Sequence, residues 1–173
     1  MCLFRKLSEP FLLLLAPLCV LVGCGHYTLG RDAALPFQCI YVAPVENRSL
    51  TPELQSFVWQ HIVQCLENSP VIVISERNDA DAILEVILAE TSQSILSTSY
   101  RDSSTADSYS LKVSALCTLR ESGENRYFFK DRCLETSISI PTQPSYVEAK
   151  RHVTPQLAAN LARKICNLVL YSW

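Results

Sequence analysis

The sequence predicts an α+β domain, a two-layer sandwich in which two helices pack on one face of a mixed sheet of about four strands. Three observations carry this. Tyr109, Leu111, Val113, Ala115, Cys117 and Leu119 alternate with polar residues, as in a strand with one wet and one buried face. Two stretches, Leu54 to Cys65 and Ala149 to Leu168, repeat apolar residues at helical spacing. The order along the chain is strand, helix, strands, helix, so both helices can cover one sheet face and leave the other polar.

The elements follow in turn. Cys39-Ile40-Tyr41-Val42-Ala43 reads as a first strand ended by Pro44, and Asn47-Arg48-Ser49 is turn chemistry. Thr51-Pro52-Glu53 suits a helix start, with Thr51 as cap, Pro52 at the first helical position and Glu53 at the positive end of the dipole. Leu54, Val58, His61, Ile62 and Cys65 form one face, and Asn68-Ser69-Pro70 stops the helix. Val71–Ile74 is a β-branched run that reads as a brief strand, and Ala80–Ala89 reads as a longer one. Ser92–Ser108 is polar and reads as the end of one strand plus a long hairpin loop. Glu121–Asn125 is a hairpin turn, and Tyr127–Ile140 is the return strand. Its alternation slips near Lys130-Asp131-Arg132, which predicts a bulge or an edge. Ser145 and Glu148 read as a capping box for the last helix. Pro155 lies inside that helix and predicts a kink or a restart, with Thr154 as a second cap.

The first residues predict export. Arg5 and Lys6 precede an apolar run from Phe11 to Val22, too short for a spanning helix, which needs ~20 residues. Leu21-Val22-Gly23-Cys24 then resembles a bacterial lipoprotein box. On that reading residues 1–23 are a signal peptide, Cys24 is lipidated and residues 24–36 are a linker. A single domain fills 37–173. Acyl chains such as palmitate hold a protein to a membrane at ~0.8 kcal/mol per buried methylene. Gly25, rather than Asp, after the cysteine fits lipoproteins sorted to the outer membrane.

Residues 24–173 carry 13 basic and 16 acidic side chains, so bulk attraction to nucleic acid is not indicated. Beyond Cys24 come Cys39, Cys65, Cys117, Cys133 and Cys166, with no C-x-x-C spacing. Most sit in apolar-patterned segments, where a reduced thiol behaves as a small hydrophobe. A bridge such as Cys65 to Cys166 requires the two helices to be neighbours.

Catalytic constellations are missing from the sequence. His26, His61 and His152 have no adjacent nucleophile motif, no G-x-S-x-G occurs, and no glycine-rich phosphate loop exists. Asp79 and Asp81 fit a turn better than a metal site. The expectation is a non-enzymatic protein without a cofactor. Arg120, Arg126, Lys130 and Arg132 fall on or beside the last hairpin, and Arg101 lies in the polar stretch. Such cations suit phosphates of an anionic glycolipid through charge-assisted hydrogen bonds. Glu121, Glu124 and Asp131 are interleaved with them, so a solvated mixed-charge face is the competing reading.

Several motifs in order resemble one family. They are Cys24-Gly25-His26-Tyr27-Thr28-Leu29-Gly30, Val42-Ala43-Pro44-Val45-Glu46-Asn47-Arg48-Ser49, Ala80-Asp81-Ala82-Ile83-Leu84 and Tyr109-Ser110-Leu111-Lys112-Val113. The final helix adds Glu148-Ala149, Arg151, Leu157-Ala158 and Trp173. Together they resemble the LptE-type lipoproteins of lipopolysaccharide assembly. Pro155 and the five extra cysteines depart from that pattern. The resemblance implies a non-catalytic lipoprotein on the periplasmic face of the outer membrane. There it would plug an LptD-type β-barrel, support its assembly and bind lipopolysaccharide. The rival reading is an envelope lipoprotein that activates a cell-wall synthase or forms part of a secretion pore. A glycan-acting enzyme using Asp79 and Asp81 is the third.

Overall fold

The computed structural model describes residues 35–49, 51–98, 106–123, 126–143 and 145–172. Residues 1–34, and with them the signal peptide and Cys24, lie outside the described residues, as does Arg101. The elements are β1 (Cys39–Val42), β2 (Glu46–Asn47), α1 (Leu54–Glu67), β3 (Val73–Ile74) and β4 (Ala82–Leu88). Then follow β5 (Ser92–Thr98), β6 (Ala106–Glu121), β7 (Tyr127–Pro141) and α2 (Tyr146–Tyr171). The fold is α+β with a mixed sheet, but the sheet has seven strands where the sequence predicts about four.

The brief strand expected at Val71–Ile74 is present as β3, paired parallel with β1. The unpredicted strands have simple causes. β2 is only two residues and pairs parallel with β4 by adjacency. The chain therefore resumes pairing after Pro44 instead of turning at once. Asn47 still makes the expected turn, its Oδ1 accepting from Ser49 N at 2.9 Å. β5 is the larger correction. Ser92–Thr98 is a strand rather than loop, because it has β6 to pair with along Ser92↔Lys112 to Ile95↔Tyr109.

β6 is the spine. Its second half pairs antiparallel with β4, its first half with β5, and its other edge with β7 over nearly its full length. Leu111, Val113, Ala115, Cys117 and Leu119 are buried, as the alternation predicts. They share one core with Ile40, Val42, Leu84, Val86 and Leu88 of the sheet and with both helices. The predicted bulge is present. Pairing shifts register between Cys117 and Leu119, and Asp131 takes a positive φ of 51°. Thr118 holds that bend, its Oγ1 accepting from Asp131 N at 3.1 Å.

α1 buries Leu54, Val58, Ile62 and Leu66, a stripe at four-residue spacing. Its start lies later than the sequence suggests. Glu53, not Thr51, is the N-cap, and Thr51 instead offers its carbonyl to Leu54 N and to Asn47 Nδ2. The Thr51 hydroxyl is buried without a hydrogen bond to any described residue. α2 runs unbroken through Pro155. Thr154 caps nothing, and its hydroxyl donates back to the Lys150 carbonyl at 2.7 Å. Burial on both sides of the proline, from Thr154 to Val169, offsets the ~3 kcal/mol that an interior proline costs. Ser145 is the N-cap as predicted, yet its side chain makes no capping hydrogen bond, so the capping box does not form.

Leu84 is fully buried at the crossing of sheet and helices, whereas Ile95 is 61% exposed. Leu84→Ala is expected to cost about 2–5 kcal/mol in urea denaturation and Ile95→Ser less than about 0.5 kcal/mol. Equal losses would contradict the assignment of the core.

Candidate functional site

The long axis of β6 separates two surfaces of different chemistry. Ile95 pairs with Tyr109, eleven residues from Arg120. At ~3.3 Å per residue the two lie roughly 35 Å apart along the strand.

The first surface is the β5 end. All seven residues of β5 are exposed. Ser92, Gln93, Ser94, Ser97 and Thr98 are polar, and Ile95 and Leu96 are the two exceptions. Leu96 occupies a bulge, since Ile95 pairs with Tyr109 and Ser97 with Ser108. The bulge sets two adjacent apolar side chains on the surface, 61% and 59% exposed. Side-chain ties are few. Ser97 Oγ and Ser108 Oγ are 2.7 Å apart, and Tyr146 Oη donates to Gln93 Oε1 at 2.6 Å. Tyr146 also meets Tyr109 edge-on, with ring centroids 5.6 Å apart, so the start of α2 marks where core cover ends. The sequence signal for this surface is Ile95-Leu96 within a serine-rich run, but polarity hides the strand.

The second surface is the β6–β7 turn, where the predicted basic residues lie. Arg120 pairs across the strands with Tyr127, and its Nε donates to Glu85 Oε1 of β4 at 3.0 Å. Arg126 lies 3.6 Å from Glu121 Oε2, a charge contact too long for a hydrogen bond. Lys130 sits over the Tyr127 ring, 5.2 Å from its centroid. Arg132 is exposed opposite Cys117 at the bulge. The turn thus gathers Arg120, Arg126 and Lys130 at one end of the hairpin, and two of the three carry carboxylate partners. Glu85 is the partner that the sequence did not reveal, because the β4–β6 register is needed to find it. A further mixed-charge group lies midway along the sheet. Glu135 accepts from Lys112 Nζ at its carboxylate and from Lys164 Nζ at its carbonyl, both at 2.6 Å.

The other sequence candidates have structural places. Asp81 Oδ2 accepts from Gln38 N at 3.0 Å and Cys39 N at 2.9 Å, tying the entry of β1 to that of β4. These backbone bonds favour the carboxylate and hold its pKa below the ordinary 3.8. Among the described residues no group of three or more His, Cys, Asp or Glu is placed to hold a metal. His61 is half-buried on α1 and His152 is exposed on α2. No helix among the described residues is long and apolar enough to cross a membrane.

A depressed carboxylate stabilises the fold above its unfolded pKa and loses that contribution as pH falls through the folded value. The stability gap between the parent and Asp81→Asn should therefore be full near pH 7 and shrink as pH falls from about 5 to 3. Urea titrations across that range check this, and a gap independent of pH would refute the assigned role.

Comparison with known proteins agrees with this architecture. Residues 37–169 match the family model LptE, described as lipopolysaccharide-assembly. No curated protein sequence matches the chain. Among solved structures, the hypothetical protein CT253 from Chlamydia trachomatis superposes with a TM-score of 0.57 at 13% identity, covering 77% of this chain and 95% of that one. A minor lipoprotein from Acinetobacter baumannii gives 0.54 at 15% identity, covering 80% and 94%. Protein XCC0632 from Xanthomonas campestris gives 0.52 at 13% identity, covering 80% and 88%. At such identities these structures share the fold alone. The family match spans most of the chain, and the chain belongs to the LptE family of lipopolysaccharide-assembly lipoproteins.

Proposed function

We propose that this protein is an outer-membrane lipoprotein that plugs and supports an LptD-type lipopolysaccharide-translocating barrel from the periplasmic side. Residues 1–23 are removed, Cys24 carries the lipid and residues 24–36 tether the domain. The chain acts by binding and has no catalytic role.

The observation that carries the reading is β5. A seven-residue strand with every side chain exposed gains almost nothing from burial within its own chain. It persists as an extension of β6, with one backbone edge unpaired by any described strand. The lumen of a large membrane barrel is polar. A serine-rich strand suits that lining, and Ile95 with Leu96 supplies one apolar contact. At the other end of the sheet, Lys130 and Arg132 have no carboxylate partner among the described residues, which suits them to glycolipid phosphates. Arg120 and Arg126 would join them only by giving up Glu85 and Glu121. Arg101, three residues past β5 in the sequence, would add charge.

Mild-detergent capture of the lipidated protein tests this. A large outer-membrane barrel should co-elute in stoichiometric amount. Ile95→Ser with Leu96→Ser should cut its recovery about tenfold, equivalent to ~1.4 kcal/mol, with the urea midpoint unchanged. Lys130→Ala with Arg132→Ala should spare the barrel and lower the lipopolysaccharide retained. Recovery of a cell-wall synthase instead of a barrel would overturn the proposal.

A further inference from the structure

We propose that Cys65 of α1 and Cys166 of α2 are joined by a disulfide in the exported protein, stapling the two helices together. The inference rests on the export reading above, because only an oxidising compartment sustains such a bond. The helices pack directly on one another. Cys166 is fully buried in their interface, and its Sγ lies 3.8 Å from the Ile62 carbonyl. Ile62 is three residues before Cys65, so the Cys166 sulfur sits against the turn of α1 that carries Cys65. Both are free thiols in the structure, and the nearby Cys65 thiol adds to burial in pushing the Cys166 thiol up.

The other thiols have no such mate. Cys117 and Cys133 lie on adjacent strands, but Leu116, not Cys117, pairs with Cys133. Neighbours in that register point to opposite faces. Cys117 is accordingly buried and Cys133 exposed. Cys39 on β1 is separated from β7 by β4 and β6, three strand spacings or roughly 14 Å. Pairing Cys65 with Cys166 therefore leaves Cys39, Cys117 and Cys133 as single thiols and Cys24 for the lipid.

The chemistry is thiol–disulfide exchange with an envelope dithiol oxidase. The half-buried Cys65 loses its proton and attacks one sulfur of the oxidase disulfide, giving a mixed disulfide and one oxidase thiolate. Cys166 then loses its proton and attacks the Cys65 sulfur, expelling the second oxidase thiolate. Two protons and two electrons leave the protein, and the oxidase becomes a dithiol. Cys65 goes first because burial and the neighbouring thiol keep the Cys166 proton tightly held. Oxidation before the helices close fully, or during local opening, gives Cys166 its turn.

The bond closes a loop of about 100 residues, a length at which cross-links restrict the unfolded chain strongly. The full protein should be taken from membranes of the cells that make it, denatured in alkylating agent without reduction and digested with trypsin. Residues 49–77 should appear linked to residues 165–173, while the peptides bearing Cys39, Cys117 and Cys133 are alkylated. Reduction should lower the melting temperature by about 10 °C in the parent and leave Cys65→Ala unmoved. Alkylated Cys65 and Cys166 in a processed, lipidated protein would overturn the disulfide and leave the functional reading standing. Alkylated thiols in a chain that retains residues 1–23 would overturn both.

Discussion

The architecture depends on one strand serving three neighbours. β6 pairs with β4, β5 and β7, and its alternate residues join one core with both helices. Leu111, Val113, Ala115, Cys117 and Leu119 are buried to within a few per cent, so a one-residue slip of register would turn that set to water. The hydrophobic pattern thus fixes where β4 and β7 must lie, and β4 in turn fixes β1 and β2 in parallel alongside it. The Asp81 carboxylate secures that parallel entry where backbone pairing begins.

A strand of this length outruns the helices that cover it. Cover ends near Tyr109, where Tyr146 closes the core. Around and beyond that point β5 lines the edge of β6 with all its side chains exposed, while the first residues of β6 are mostly half-buried. Core burial therefore stabilises the second half of β6, and β5 is held by backbone pairing and a few side-chain hydrogen bonds. Regions of low burial open at small free-energy cost, and binding surfaces are drawn from them. The same division explains why the basic residues at the opposite turn are partly neutralised. There the sheet runs from β3 through β1, β4 and β6 to β7, and Glu85 of β4 comes within reach of Arg120.

Legibility in the sequence followed how local each cause was. The alternation of β6 and the stripe of α1 are intrinsic patterns, and both elements formed where they predict. The slip at Lys130–Arg132 marked a real bulge. β5 was hidden because five of its seven residues are polar and its strand state comes from pairing with β6. The two-residue β2 carries too few residues for any period, whereas the β-branched run at Val71–Ile74 did mark β3. Thr51 and Thr154 misled as caps, and Pro155 does not restart the helix, because local preferences yield to the packing of α1 and α2. The site was legible only as types of residue. Ile95-Leu96 and the hairpin cations stood in the sequence, but the bulge exposing one pair and the acids holding Arg120 and Arg126 depend on register. The Cys65–Cys166 contact likewise needed the helix pairing that only the fold supplies.

The central claim is that one strand is half core and half presented surface. Amide hydrogen exchange of the full protein, resolved along β5 and β6, tests it most directly. Amides of Leu111–Leu119 should exchange only through global unfolding, and those of Ser92–Thr98 orders of magnitude faster. Protection of β5 equal to that of the β6 core in the isolated protein would contradict the account.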